Sequence, residues 1–197
     1  EPPTTASKLS DWFVAHRGVF LTQEYLRVLA TFAMMIFIGG VVATIRRVTG
    51  RIGPLEMVVV AAGAIFSLMM LISNVAACGA AVVAGKAGVD GGTILALHLF
   101  GETMRHVNAI GCAFMIGTAT LALHRARVIP TWVGVLGAVS VPVLLVGGVG
   151  FPNTRVEFLD YVAFPLMPLW PLVTSLSLLI GSRARGRVVT GVRHAIA

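Results

Sequence analysis

Five long apolar stretches, separated by short polar or charged segments, fill most of this 197-residue chain. Each stretch is long enough to cross a bilayer, because a helix spans roughly 30 Å of hydrocarbon with about 20 residues that rise about 1.5 Å each. The pattern predicts an all-α fold, a polytopic transmembrane helix bundle with five spans. We expect an outer segment (residues 1–24), a transmembrane helical domain (25–182) and a basic tail (183–197).

Proline and capping residues predict where the helices begin. Pro54 suits the first position of the second span, and Thr93 or Asp90 is placed to cap the third. The capping-box sequence at residues 154–157 predicts the start of the fifth. In chain order, the expected spans are residues 25–45, 54–84, 93–123, 132–149 and 155–180.

The outer segment has a helical pattern of its own. Its apolar and aromatic residues recur at i, i+3, i+4 and i+7, and Gly18 follows as an expected stop. Aromatic residues favour the headgroup boundary, so we expect a short amphipathic helix at the membrane interface. The residues of this pattern are Leu9, Trp12, Phe13 and His16.

The positive charges predict the orientation of the bundle. Only 12% of the residues are charged, against about 25% in soluble domains, and the formal net charge is +7. Nine of the 15 Lys and Arg residues lie in residues 46–54, 124–130 and the basic tail, which are therefore expected on the cytoplasmic side. We expect a multi-pass protein of the bacterial inner (plasma) membrane, with the start of this chain outside and its C-terminus in the cytoplasm.

This orientation raises a question about the N-terminus, because residues 1–24 would have to cross the membrane without an apolar export segment of their own. We expect a signal peptide or a further transmembrane helix upstream of Glu1. The second and third spans are also longer than a bilayer requires. Their hairpin should either tilt strongly or extend beyond the hydrocarbon on the outer face.

Polar side chains cluster in the outer half of the third span, and ionisable residues within membrane spans are functional suspects. His98, Glu102 and His106 lie four residues apart on one face, but about 12 Å of helix rise prevents the two histidines from sharing one metal ion. We expect mainly an interfacial network with Glu24, Arg27, Arg155 or Asp160, and keep an ion or proton site as the alternative. The members of this cluster are His98, Glu102, Arg105, His106 and Asn108.

Small residues and prolines indicate how the helices pack. Small residues let membrane helices approach closely, either inside one chain or against another subunit. An interior proline removes one intrahelical hydrogen bond, which produces either a packing kink or the broken helix of a transporter site. The expected packing faces contain Gly39, Gly40, Gly79, Gly134 and Gly137, and the expected kinks lie at Pro142, Pro165, Pro168 and Pro171.

Two segments carry a resemblance to a known group of proteins. Residues 11–18 read DWFVAHRG, and residues 124–137 read HRARVIPTWVGVLG. In these features and their order the chain resembles a family of uncharacterised actinobacterial multispanning membrane proteins. The resemblance implies a six-helix fold, with the first helix upstream of this chain, and implies no activity.

No zinc-binding, phosphate-loop or nucleophile motif occurs in the chain, and no basic stripe is interleaved with aromatics. We therefore expect no enzyme activity, cofactor, metal site or nucleic-acid partner. The lipid bilayer and other integral membrane subunits are the expected partners, and the leading hypothesis is a non-catalytic accessory or scaffold subunit of a larger inner-membrane complex, such as a lipid or solute transporter or a respiratory assembly. The alternatives are a small carrier or ion/proton pathway through the polar cluster and, third, a lipid-modifying enzyme with Glu102 and His98 as acid and base.

Overall fold

The computed structural model describes the backbone of residues 5–150 and 160–195, and the side chains of residues 5–148, 162 and 164–181. All five helices are long and apolar enough to cross a membrane, which confirms the predicted all-α class and the five spans. In chain order the helices are α1 (Ala6–Thr49), α2 (Pro54–Val83), α3 (Gly91–Arg125), α4 (Thr131–Gly150) and α5 (Asp160–Ala195).

Helix α3 lies at the centre of the bundle and packs against each of the other four helices. Consecutive helices run antiparallel, so the bundle has two ends. We call the end at the α2–α3 turn (residues 84–90) the hairpin end. We call the end that contains the α1–α2 and α3–α4 turns (residues 50–53 and 126–130) the arginine end.

Polar side chains close several helix ends. The Asp90 carboxylate accepts a hydrogen bond from the Thr93 backbone N–H at 2.9 Å, so the structure selects Asp90 as the cap of α3. Because the Thr93 N–H and hydroxyl favour the ionised carboxylate, they hold the pKa of Asp90 below its usual value. At the far end of α2, the Arg17 guanidinium donates to the carbonyl oxygens of Ala81 and Ala84. These contacts satisfy backbone groups that a helix terminus leaves unpaired.

Helices α1, α2 and α3 extend beyond α4 at the hairpin end. A Cβ added to Gly148, close to the end of α4, would meet the backbone carbonyl of His106 at 2.9 Å. The 15 residues of α3 that precede His106 therefore project about 22 Å past this level. Since the 20 residues of α4 match the roughly 30 Å of a bilayer, the extra length favours the protruding hairpin over a strong tilt.

The protruding parts form a second apolar cluster, which we call the hairpin lobe: Leu9, Phe13, Phe20, Ala77, Ala80, Ala81, Ala84 and Ile94. The prediction of a separate short helix that ends at Gly18 is wrong, because α1 continues through Gly18 as one helix of 44 residues. Leu9 and Phe13 pack against α2 and α3 within this lobe, whereas His16 is exposed. Phe20 continues the same buried face beyond Gly18, and this continuity favours an unbroken helix.

The predicted kinks lie inside helices that the structure shows as continuous. Helix α4 passes through Pro142, and α5 passes through its three prolines and includes the backbone of most of the basic tail. A broken fifth helix, which was the alternative to a packing kink, is therefore not seen in the backbone of residues 160–195. The capping box at residues 154–157 lies outside the described residues.

Among the expected packing faces, Gly137 makes the tightest internal contact. A Cβ added there would meet the hydroxyl of Thr120 on α3 and, at 2.6 Å, the indole Nε1 of Trp170 on α5. Both of these side chains are buried, so neither has free space into which it could turn. Gly137 therefore allows α3, α4 and α5 to meet at one point.

Gly39 and Gly40 differ from Gly137. Nothing lies within 4 Å of a Cβ added at either position. Gly79 and Gly134 are intermediate, each with one neighbouring side-chain atom, at 3.9 Å and 3.5 Å respectively. The glycines of α1 consequently face away from the rest of the bundle.

Replacing Gly137 by Ala should lower the free energy of unfolding by about 1–3 kcal/mol, because the added methyl group overpacks the contact with Thr120 and Trp170. The matched control, Gly40→Ala, adds the same group to open space and should raise it by about 0.5–1 kcal/mol. Reversible unfolding of the full chain in mixed detergent micelles measures both. Equal stability of the two variants would contradict the assigned packing.

Candidate functional site

The sequence-predicted polar cluster lies where the hairpin lobe meets the main core. The main core contains Ile38, Val59, Cys112 and Leu144, among others, and extends to the arginine end. The cluster is level with the end of α4 and is formed by α1, α2 and α3. By the length of α4, this level corresponds to one boundary of the hydrocarbon.

A network of charged side chains joins α1 to α3 at this level. Glu24 on α1 is completely buried, with 0% exposure, and its Oε1 accepts a hydrogen bond from Arg27. Arg105 on α3 approaches the same Oε1 at 3.8 Å. The Nη1 of Arg105 also lies 2.8 Å and 3.0 Å from the two carboxylate oxygens of Glu102. Two carboxylates and two guanidiniums thus balance each other within one network.

The network contains two of the partners expected from the sequence, Glu24 and Arg27. The side chains of the other two, Arg155 and Asp160, lie outside the described residues. Glu24 itself was expected only as a partner, although it is the most deeply buried member. A glutamate immediately before an apolar stretch resembles an ordinary interfacial residue in sequence, so its burial became visible only through the packing of α1 along α2 and α3.

The two histidines of the cluster have separate surroundings. The His98 ring stands edge-to-face with Phe13 of α1, with ring centroids 5.7 Å apart. His106 Nδ1 lies 2.8 Å from the backbone oxygen of Glu102, so this nitrogen carries the proton that is donated. The ring of His106 also contacts Phe164 of α5 edge-to-face. The shared face predicted for His98, Glu102 and His106 therefore does not converge on one ligand position.

Helix α2 supplies polar residues that sequence reasoning missed. The Ser73 hydroxyl donates to the backbone oxygen of Gly101 at 2.8 Å, which fixes the antiparallel register of α2 and α3. Asn74, which follows Ser73 and is 1% exposed, consequently lies within one helical turn of the level of Glu102. The sequence signal for Asn74 was an asparagine within an apolar stretch, but the sequence did not show whether this side chain faced lipid or protein.

A second contact fixes the register deeper in the bundle. A Cβ added to Gly111 would lie 3.7 Å from the Cα of Phe66 and 3.4 Å from the Oδ1 of Asn108. Ser67, the next residue of α2, is therefore level with Asn108, and both are buried. From Glu102 to Asn108 the site descends about 9 Å along α3.

We call one group of side chains of this site, all buried except the partly exposed Arg105, the polar column: Glu24, Ser67, Asn74, Arg105 and Asn108. Several of its buried polar atoms have no hydrogen-bond partner, namely Glu24 Oε2, Arg105 Nε, Ser67 Oγ and both side-chain amide atoms of Asn74 and Asn108. Burial of unpaired polar atoms is costly, and such atoms in native proteins call for a specific explanation. The column therefore concentrates donors and acceptors that the described side chains do not pair.

The polar column ends within the bundle. The next residues of α3 that face the core are buried and apolar, namely Cys112, Ala113, Met115, Ile116 and Ala119. Below them, Thr120, Trp170 and Thr174 again have unpartnered polar atoms, but Thr120 is about 18 Å of helix rise from Asn108. Among the described residues, the partly exposed Arg105 of the column and the partly exposed Glu102 beside it lie on the hairpin-end side.

Within the part of the chain that the structure describes, no group of three or more His, Cys, Asp or Glu side chains is arranged to hold a metal ion. Two carboxylates lie at this level, of which that of Glu24 is buried and that of Glu102 is partly exposed. The geometry thus supports ion pairing between helices and, chemically, proton binding.

Replacing Arg105 by Gln should lower the free energy of unfolding by about 3–5 kcal/mol, because Glu24 then loses one of its two cationic partners while it remains buried. Arg47→Gln, at an exposed position of α1, is the matched control and should change stability by less than about 0.5 kcal/mol. Unfolding in mixed micelles measures both. A loss of less than about 1 kcal/mol for Arg105→Gln would show that the network adds little to stability.

Comparisons of the chain with protein-family models, with curated protein sequences and with solved structures find no match. The structure itself shows a membrane protein with five helices long and apolar enough to span a bilayer, in which a charged network joins α1 to α3.

Proposed function

We propose that the protein is a non-catalytic accessory subunit of a larger membrane complex, and that it binds a transmembrane helix of another integral membrane protein through one face of α1. We call this face the glycine face: Ile36, Gly39, Gly40, Ala43 and Thr44. The observation that supports the proposal is the open space at both glycines, where no atom lies within 4 Å of an added Cβ.

The spacing of the glycine face fits helix association in lipid. Gly39 and Ala43, like Gly40 and Thr44, are four residues apart, which is the small-xxx-small pattern that lets two helix backbones approach closely. The Thr44 hydroxyl donates to the Gly40 carbonyl at 2.8 Å and so is already paired. Ile36, the next residue along this face, is 77% exposed and offers an apolar contact beside the glycines.

The bundle does not need these glycines for its own packing. Gly101, Gly137 and Gly148 lie at contacts between helices of this chain, and added Cβ atoms there would come within about 3.2 Å of neighbouring atoms. Gly39 and Gly40 have no such neighbours, although glycine inside a helix costs about 0.5–1 kcal/mol relative to alanine. A partner helix would account for this cost. Among the expected packing faces, we therefore choose Gly39 and Gly40 for the proposed interface, because Gly79 and Gly134 each have a neighbouring side-chain atom within 4 Å of an added Cβ.

The orientation and family membership expected from the sequence stay part of this proposal. The exposed arginines of the arginine end favour a cytoplasmic location for that end, with the hairpin lobe outside. The lobe would then present a surface to extracytoplasmic domains of the same partner complex. Membership of the actinobacterial six-helix family is supported by the two resembling segments alone.

Replacing Gly39 and Gly40 by Ile should release the partner, because the branched side chains hold the helices apart. The tagged full chain would be purified from its native membranes in mild detergent, and the co-purifying membrane proteins quantified by mass spectrometry. Val139→Phe is the control, since Val139 is 55% exposed on α4 and makes a similar apolar surface bulkier away from the glycine face.

The wild type and Val139→Phe should retain one membrane protein at constant stoichiometry, and the Gly39/Gly40 double variant should lose it although its melting temperature is no lower than that of the wild type. A photo-crosslinker at Ile36 should label the same protein. Retention of the partner by the double variant would place the interface elsewhere. A chain that purifies alone or only with copies of itself would contradict the subunit proposal.

A second candidate, a small proton or solute carrier, is favoured by the unpartnered atoms of the polar column. The apolar layer below Asn108 opposes an open pathway, so transport would require a second conformation. Replacing Glu24 or Glu102 by Gln removes a proton-binding group, and in proteoliposomes with an internal pH dye it should abolish any proton flux that the wild type shows. Wild-type vesicles that leak no faster than protein-free vesicles would contradict proton transport.

A further inference from the structure

Helix α3 ends in a turn that places an arginine where the backbone favours glycine. Arg127 has φ 53°, and it is the one non-glycine residue with positive φ in the described part of the chain. Its N–H bonds to the oxygen of His124 at 3.0 Å, and the N–H of Val128 bonds to that of Leu123 at 3.1 Å. These two bonds form the Schellman motif, whose left-handed position is usually occupied by glycine because a Cβ is unfavourable there.

The same chain uses glycine at its other left-handed positions. Gly50, with φ 75°, ends α1, and Gly85 and Gly88, with φ 72° and 81°, form the α2–α3 turn. Arg127 therefore does not reflect a requirement of the turn itself, which glycine would serve better. Residues held in a disfavoured backbone region tend to occur at functional sites, where the side chain accounts for the strain.

The surroundings of Arg127 are strongly cationic. The side chains of Arg46, Arg47, Arg51 and Arg125 are exposed at the same end, because the α1–α2 turn, the end of α1 and the end of α3 pack over a shared core. In the part of the chain that the structure describes, the ion pairs of arginine involve only Arg27 and Arg105, which lie elsewhere. The arginines of this end are thus available to an external anion.

The location of these arginines indicates what kind of anion can reach them. Trp132 lies on the first turn of α4, five residues after Arg127, and is 59% exposed. Exposed tryptophans of membrane proteins favour the headgroup layer. Arg127 should therefore lie at the level of lipid phosphates. A guanidinium can donate two parallel hydrogen bonds to one phosphate group. Glycine at the same position would have no side chain to make these hydrogen bonds.

We propose that the arginine end is a binding site for an anionic phospholipid, and that Arg127 contacts its phosphate directly. The neighbouring arginines add electrostatic attraction, because cationic residues close to the membrane surface attract acidic lipid headgroups. This site is independent of the glycine face, since it lies on the turns and does not use Gly39 or Gly40. It gives a reason for retaining arginine at a left-handed position.

The test compares lipid affinity with stability in the same variants. Delipidated full-length protein in a nonionic detergent is titrated with phosphatidylglycerol or phosphatidylcholine, and bound lipid is counted by native mass spectrometry. The wild type should bind phosphatidylglycerol more tightly. Arg127→Gly should weaken that binding about five-fold and at the same time raise the melting temperature in the absence of lipid.

Lys86→Gln is the matched control, because it removes an exposed cation at the hairpin end and should leave the phosphatidylglycerol affinity unchanged. Several results would overturn the proposal: equal affinity for the two lipids, unchanged lipid affinity in Arg127→Gly, or a lower melting temperature of that variant. Complete displacement of the lipid by millimolar inorganic phosphate would identify a free anion as the ligand instead.

Discussion

The pairing of polar groups away from water is the constraint on which the rest of this bundle depends. In the hydrocarbon, an unpaired N–H, C=O or charged group cannot hydrogen-bond to water, so it must find its partner inside the protein. Six threonines donate their hydroxyl to the carbonyl four residues earlier. Arg17 likewise pairs the last carbonyls of α2, which lie in the lobe outside the hydrocarbon. The Glu24 network meets this constraint for charge. Where these devices end, at Asn74 and Asn108, the structure leaves polar atoms without a partner.

Close approach of the helices is the second condition of the fold, and it explains why glycine has different roles along the chain. At Gly137 and Gly148, a missing side chain lets neighbouring helices approach α4 closely. At Gly39 and Gly40 the same residue type faces outward, so it contributes nothing to contacts within the chain. Helix propensity cannot separate these two roles. The distinction depends on which face of each helix meets a neighbour.

The features that the sequence predicted correctly are those that depend on the residues of a single helix. Span number and class follow from apolar length, and the cap at Asp90 follows from a residue type beside the first turn. The end of the first amphipathic helix at Gly18 was wrong, because the buried face from Leu9 to Phe20 stays in phase through the glycine. The burial of Glu24 and the inward direction of Asn74 depended on packing between distant segments, which no local pattern encodes.

The charges at the two ends of the bundle act in different ways, and this difference bears on function. At the boundary near the hairpin lobe, carboxylates and guanidiniums neutralise one another, and the buried Glu24 is held by cations of two helices. At the arginine end, the exposed cations have no acidic partners among the described residues, and one of them occupies a backbone conformation that glycine would adopt more easily. Balanced charge holds α1 against α3, whereas unbalanced charge is available to molecules outside the chain. On the proposed function, a subunit whose partner site lies in the last third of α1 can use the network near the middle of that helix to stay rigid, and the arginines beyond the glycine face to contact lipid.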